Sequence, residues 1–219
     1  IESYTALPFS QREAPPTPAL RPAYQGANPI SDIWALAALE IVGKSILPAV
    51  LDAGDTDARS NMAMAATFAG VGFGNAGVHL PHGMSYPVSG LVKKYTPEGY
   101  PEGRPIAPHG MAVILNAPAV FRYTASSNPE RHMRAAQLLG ADVTGATPED
   151  AGDLIADRLI HILKEIGVPN GLGGVGYTVA DVPRLVEGTL PQQRVTKLAP
   201  RPTGADELTE LFKDSMKLW

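Results

Sequence analysis

The sequence contains no cysteine. Disulfides and thiolate ligands are therefore excluded, and any metal must be held by His, Asp or Glu. An excess of positive charge is missing too: 18 Lys and Arg stand against 22 Asp and Glu, a net charge of −4. That balance leaves no electrostatic footprint for nucleic acid, and no nucleic-acid partner is expected. The chain begins IESYTALPF, with neither an initiator Met nor a basic region followed by an apolar one. It reads as a start in mid-protein rather than a signal or transit peptide. Strand-like alternation over four or more residues between turn signals is also lacking, which points to helices.

The longest absence is internal. From Ser60 to Val92 there is no Asp, Glu, Lys or Arg. A bilayer can be spanned by ~20 apolar residues, but here Gly70, Gly72, Gly74 and Gly77 alternate with Ala and Asn, and bulky aliphatics are few. A tightly packed interior segment is the expectation, with no membrane partner. Two of the five histidines, His79 and His82, nevertheless fall inside it. Burying an imidazole without a partner costs free energy, so each ring needs a hydrogen bond, a metal ion or a reacting substrate.

What is present reads as one all-helical domain. Residues Leu7 to Pro29 hold six prolines and read as an extended surface loop. A helix is predicted from about Ser31, with Trp34, Leu36, Leu39, Ile41 and Val42 apolar on nearly every side, hence central and buried. Gly54 ends it, and Asp55 or Thr56 starts the next, which runs into the uncharged segment. Asn128-Pro129 and Gly140 bracket a further helix. Thr147-Pro148-Glu149-Asp150 opens another, whose Ala151, Leu154, Ile155, Leu159, Ile162, Leu163 and Ile166 form one stripe before Gly167. Thr178 with Asp181, and Thr203 with Asp206, read as capping boxes. The chain of 219 residues can bury a substantial core, and no internal repeat or domain boundary is visible.

The Gly-rich GLGGVGYTVAD, Gly171 to Asp181, invites a dinucleotide-binding reading. That fingerprint needs a strand before it and the spacing GxGxxG, and neither is present, so an inter-helix turn is expected. Nucleophile-elbow, zincin and phosphate-loop motifs are absent. The histidines remain. Pro-His-Gly occurs twice, at Pro81-His82-Gly83 and Pro108-His109-Gly110. The two matching contexts leave a metal ligand and a satisfied structural histidine as comparable readings, whereas His132 and His161 sit on ordinary helical patterns.

FAGVGFGNAGVHLPHGMSYPVSG followed by a second PHG resembles the signature of the iron-containing (group III) alcohol dehydrogenase family. IESYTALPF, NPISDIWALAALEIV and GTLPQQRVTKLAPRP extend the likeness over nearly the whole chain. HGMSYP with its tyrosine, the histidine three before the ligand and the RVTKLAP ending resemble the hydroxyacid–oxoacid transhydrogenase branch. The resemblance implies that residues 1–219 are the all-α, metal-binding C-terminal domain, the nucleotide-binding α/β domain and an Asp and His ligand lying upstream of Ile1. It implies a divalent metal, Fe2+ or Zn2+, held here by His82 and His109, and NAD or NADP as hydride carrier.

Carried over position by position, Phe73 packs beside substrate and nicotinamide. Tyr86 replaces a second histidine near the nicotinamide, and His79 takes over proton relay or supports a ligand. Val195 lines the substrate mouth, which brings Thr196 and Lys197 close, and Lys197 with Arg194 behind it is the expected cation for a substrate carboxylate. The implied reaction oxidises a hydroxyacid such as 4-hydroxybutyrate while 2-oxoglutarate is reduced. An NAD-linked alcohol dehydrogenase is the nearer alternative, and a non-enzymatic helical binding domain the alternative of another class. A homo-oligomer is expected, in the cytoplasm or, in a eukaryote, the mitochondrion. The isolated chain is expected to self-associate, to hold metal weakly and to turn over no substrate.

Overall fold

The computed structural model describes residues 1–101 and 103–219. Among them there is no strand, only an isolated parallel bridge between Pro8 and Ala27. A short α1 (Glu2–Thr5) leads into the Pro-rich stretch, which crosses the surface with 3-10 turns at Phe9–Gln11 and Pro18–Leu20. Then come α2 (Pro29–Leu51), α3 (Thr56–Ala76) and α4 (Leu80–Leu91). The second half adds α5 (His109–Ile114), α6 (Ala117–Thr124), α7 (Pro129–Leu138) and α8 (Ala151–Glu165). Short helices α9 (Gly171–Gly174) and α11 (Gln193–Thr196) flank α10 (Val182–Thr189), and α12 (Ala205–Asp214) closes the chain.

Helix starts follow local chemistry. The Asn28, Asp55 and Asn128 side chains accept from the backbone N–H of Ser31, Ala58 and Arg131, satisfying donors that a first helical turn leaves open. Thr147 with Asp150 and Thr178 with Asp181 form the expected reciprocal caps, and Gly140 and Gly167 follow their helices at positive φ. The last helix starts one residue later than Thr203 with Asp206 implied: Glu207 accepts from the Gly204 N–H at 2.7 Å. In the Gly-rich turn, Leu172 and Gly173 donate their N–H groups to the carbonyls of Ser215 and Met216. Those amides are spent on packing against the end of α12, so the turn is structural.

Two apolar cores share α6. Val120 packs with Leu80, Met84, Leu115, Leu185 and Phe212, while Phe121 packs with Tyr4, Leu39, Ile155 and Leu159. Helix α4 lies in the first core and begins beside the second. Two expectations of burial are corrected. Helix α2 is not enclosed: Ile30, Ile33, Val50 and Leu51 are exposed, and its buried face consists of Ser31, Ala35, Ala38, Leu39 and Ser45. Small residues there allow close packing along α3, so only that face is covered. Helix α2 is long and apolar enough to cross a membrane by length and composition alone. The uncharged segment divides likewise. Met64, Val71 and Phe73 of α3 are exposed, whereas the run from Ala76 to Val88 is interior apart from His82 and Tyr86.

His132 shows what a structural histidine looks like here. Its ring is fully buried, with Nδ1 on the Asn128 carbonyl at 2.8 Å and Nε2 on the Thr124 hydroxyl at 3.0 Å. The carbonyl can only accept, so Nδ1 carries the proton and the Thr124 hydroxyl donates to Nε2. Burial pushes its pKa down to about 4. The folded ring therefore stays neutral while the unfolded chain takes up a proton below about pH 6.5. Stability is complete above that value and is lost as pH falls toward 4, by about 2 kcal/mol at pH 5. Urea denaturation at pH 7 and pH 5 measures this. His132→Asn is expected to remove about half of the slope, since the buried His79 is shifted in the same direction, and an unchanged slope in that variant would assign the loss to other groups.

Candidate metal centre

The turn from α3 into α4 sets the site. Gly77 adopts φ +87°, and a Cβ there would lie 2.5 Å from the Leu198 side chain and 2.6 Å from Tyr24. Only glycine allows the chain to reverse against both. The reversal places His79 at the N-cap of α4 and His82 in its first turn.

His82 is held from a distance in sequence. Its backbone N–H donates to Glu2 Oε1 at 3.0 Å, and its Nδ1 pairs with Glu2 Oε2. Glu2 thus fills an open donor at the start of α4, where the helix dipole also favours an anion. A carboxylate accepts only, so the bond fixes the Nδ1–H tautomer and leaves Nε2 with its lone pair free. Burial alone pushes the Glu2 carboxyl up. The hydrogen bonds from the His82 ring and its backbone N–H outweigh this and hold it below the usual carboxylate range.

His109, first residue of α5, faces His82 with ring centres 5.2 Å apart and ring planes at 63°. Two imidazoles bound tetrahedrally to one ion at about 2.0–2.1 Å place their ring centres roughly 5 Å apart. The pair therefore fits a shared metal, as half of a donor set. Among the described residues no group of three His, Asp or Glu gathers around one point.

The glycines of the two PHG motifs differ in use. A Cβ at Gly83 would meet the Thr196 methyl at 2.6 Å, so that glycine seats α11 on α4, while Gly110 faces open space. Val195 is also part of this seat. It is buried, with Cγ2 3.5 Å from the Gly83 Cβ position, rather than standing open at a substrate mouth. Core packing, not proximity in sequence, decides which way α11 turns its side chains.

The other candidates separate. Phe73, 40% exposed, lines a cavity of about 330 Å³ with Glu2, Leu39, Met62 and His82. A larger cavity of about 830 Å³ lies elsewhere, between α6 and α12, among charged side chains with no histidine. The histidine chemistry, not size, selects the smaller one. Tyr86, one turn beyond His82, tilts its ring toward His109 with centres 6.5 Å apart, and its hydroxyl accepts from Arg194 Nη2 at 3.4 Å. Lys197 is exposed and has no hydrogen bond or ion pair from its side chain among the described residues.

His79 takes a different place from the one a proton relay needs. It has no exposure, meets Thr5 Oγ1 through Nε2 at 3.3 Å and packs edge-on to Phe121. Burial lowers its pKa to about 4, so the ring is neutral at physiological pH and sealed from the cleft. Thr5 belongs to the same short helix as Glu2, and His79 therefore braces the carboxylate's support. Glu2 and Arg194's contact with Tyr86 are what sequence reading missed. Their partners lie 80 and 108 positions away.

The description "Fe-containing alcohol dehydrogenase family, C-terminal" matches residues 23–216. The chain belongs to this family. Among curated proteins it is 55% identical over 220 residues to the mitochondrial hydroxyacid-oxoacid transhydrogenases of Bos taurus and Homo sapiens, covering 100% of this chain and 47% of each of theirs. It spans about half the length of these relatives. Among solved structures, a 1,3-propanediol oxidoreductase superposes with TM-score 0.79 at 26% identity, over 98% of this chain and 48% of that one. An alcohol dehydrogenase from Oenococcus oeni, at 22% identity over 98% and 48% of the two chains, gives the same TM-score and shares the fold. The all-α architecture is that of the family's C-terminal half.

Proposed function

We propose that this chain is the metal-binding, substrate-facing half of a hydroxyacid–oxoacid transhydrogenase. The observation that carries the reading is the His82–His109 ring pair, with the Glu2 carboxylate holding Nδ1 of His82 and leaving its Nε2 free. Support for the branch comes from 55% identity to transhydrogenases along the whole chain. His82 and His109 would hold a divalent ion, iron or zinc, with an Asp and a third His supplied by the upstream half. When bound, such an ion polarises the substrate's hydroxyl or carbonyl oxygen, and a nicotinamide nucleotide, NAD or NADP, carries the hydride.

The chain's own residues supply geometry and exclude water. Glu2 orients one imidazole, and the turn at Gly77 fixes its height above the core. Phe73 provides an apolar wall beside the reacting carbon, in the cavity that also holds His82. Tyr86 stands next to His109 and can hold a proton or hydrogen-bond a ligand oxygen at its hydroxyl. Small-molecule hydroxyacids and oxoacids are the substrates, a homo-oligomer is the assembly and, as the relatives' names state for them, the mitochondrion is the compartment in a eukaryote.

The test uses the full-length protein, purified without added nucleotide. Incubation with 4-hydroxybutyrate and 2-oxoglutarate is expected to yield the semialdehyde and the reduced oxoacid in equal amounts, with stoichiometric metal. Product that forms only when free NAD is supplied would replace this reading with an NAD-linked alcohol dehydrogenase. A protein with neither metal nor turnover would replace it with a binding domain.

A further inference from the structure

The rim of the metal centre carries a cation already held in place. Arg194, on α11, donates Nη1 to the Tyr24 hydroxyl at 3.3 Å and Nη2 to the Tyr86 hydroxyl at 3.4 Å. Its guanidinium also lies over the Tyr24 ring, 5.2 Å from the centroid. Two tyrosines from separate parts of the chain therefore restrict a side chain that is otherwise costly to immobilise. No carboxylate pairs with it among the described residues, and its remaining N–H donors have no partner there. A positioned guanidinium with free donors suits a planar carboxylate.

Its place relative to the histidines gives it a meaning. Tyr86 is the link, with its ring beside His109 and its hydroxyl on Arg194. One aromatic ring and one hydrogen bond thus separate the guanidinium from the imidazole pair. A cation set back from the reacting position in this way suits a carboxylate separated from the reacting carbon by an aliphatic spacer. We infer that Arg194, held by Tyr24 and Tyr86, binds the distal carboxylate of the substrate and makes the site selective for hydroxyacids over neutral alcohols. The inference rests on the transhydrogenase reading and extends it. In 4-hydroxybutyrate and in 2-oxoglutarate alike, two methylene groups separate the reacting carbon from a carboxylate. One fixed cation serves both half-reactions without rearrangement.

Lys197 is the competing cation, and a nucleotide pyrophosphate is the competing anion. The experiment compares Arg194→Met, Arg194→Lys and Lys197→Ala in the full-length protein. The readouts are kcat/KM for 4-hydroxybutyrate relative to 1-butanol, calorimetric binding of glutarate as a non-reacting dicarboxylate, and NAD binding by fluorescence. Arg194→Met is expected to lower the hydroxybutyrate-to-butanol ratio about tenfold, chiefly through KM, and to weaken glutarate binding by a similar factor, the value of one exposed charge-assisted contact. Arg194→Lys should recover part of both, and Lys197→Ala should leave the ratio intact. Loss of the ratio in Lys197→Ala but not in Arg194→Met overturns the assignment. Weakened NAD binding with glutarate binding intact also overturns it and gives Arg194 to the nucleotide. Wild-type protein that binds glutarate through Arg194 yet does not oxidise hydroxybutyrate refutes the transhydrogenase reading alone. Wild-type activity untouched by Arg194→Met refutes the inference alone.

Discussion

His109→Ala in the full-length protein is expected, on the proposed function, to lower kcat/KM on the order of 10³-fold and to strip most of the metal. A coordinated ion contributes several kcal/mol of charge stabilisation to the reacting oxygen, and each 1.36 kcal/mol is a factor of ten in rate. His109 is the cleaner of the two proposed ligands to remove. It is exposed, it begins α5 and Gly110 beside it faces open space, so truncation leaves no void in the core. His82→Ala, by contrast, would also leave the buried Glu2 carboxylate without its imidazole partner and mix a stability loss into the result. The measurement is metal per subunit by elemental analysis alongside steady-state kinetics and thermal melting. An unchanged melting curve with metal and turnover both reduced is the expected pattern. Full metal content with undiminished turnover would remove His109 from the coordination set and leave the ring pair as a packing contact.

Sequence reading succeeded wherever the determining chemistry is local. Asp55, Asn128, Thr147 and Thr178 all cap helices that begin within one to four residues of them. A cap is an exchange between a side chain and amides a turn away, and the pattern carries all of it. The α12 start slipped by one because Gly204 has no side chain with which to announce the N-cap. Burial was harder to read. Helix α2 is apolar on nearly every side, yet apolar content does not say how many sides find a partner. Ile30 at 70% and Leu51 at 65% exposure show that only the Ala and Ser face does. Hydrophobic periodicity identifies a stripe when the other faces are polar, and α2 offers no such contrast.

The site follows the same division. Two PHG motifs in one chain were enough to bring His82 and His109 forward, because each motif is contiguous. What orients them is not. Glu2 reaches His82 from 80 positions upstream, and Arg194 reaches Tyr86 from a different helix. A carboxylate and an arginine on short helices look like any solvated pair until the fold sets them opposite a partner. Lys197 drew attention for the opposite reason: it stands in a recognisable ending, RVTKLAP, but the fold turns it to solvent. Val195, placed at a substrate mouth by the family likeness, is buried against Gly83, because nothing in a four-residue stretch of sequence fixes which face of its helix is covered.

Glu2 carries the second large expected effect. Glu2→Ala is expected to weaken metal binding by about 10- to 100-fold, the usual cost of losing the outer partner of a ligating histidine. The carboxylate does two things at once. It holds the proton on Nδ1, which leaves Nε2 as the nitrogen able to bind a metal, and it closes the His82 N–H at the start of α4. Because it is held below the usual carboxylate range, it is ionised at neutral pH and remains an acceptor there. Glu2→Gln separates the two roles. The amide oxygen can still accept one of the two bonds but supplies no charge, so affinity should fall between wild type and Glu2→Ala. Chelator competition on the full-length protein gives the affinities, and 15N chemical shifts of the His82 ring give the tautomer. Loss of the Nδ1–H population in step with affinity is the expected outcome. A melting temperature that falls while affinity and tautomer hold would show that Glu2 serves only as the cap of α4, and that the tautomer of His82 is fixed by the metal itself.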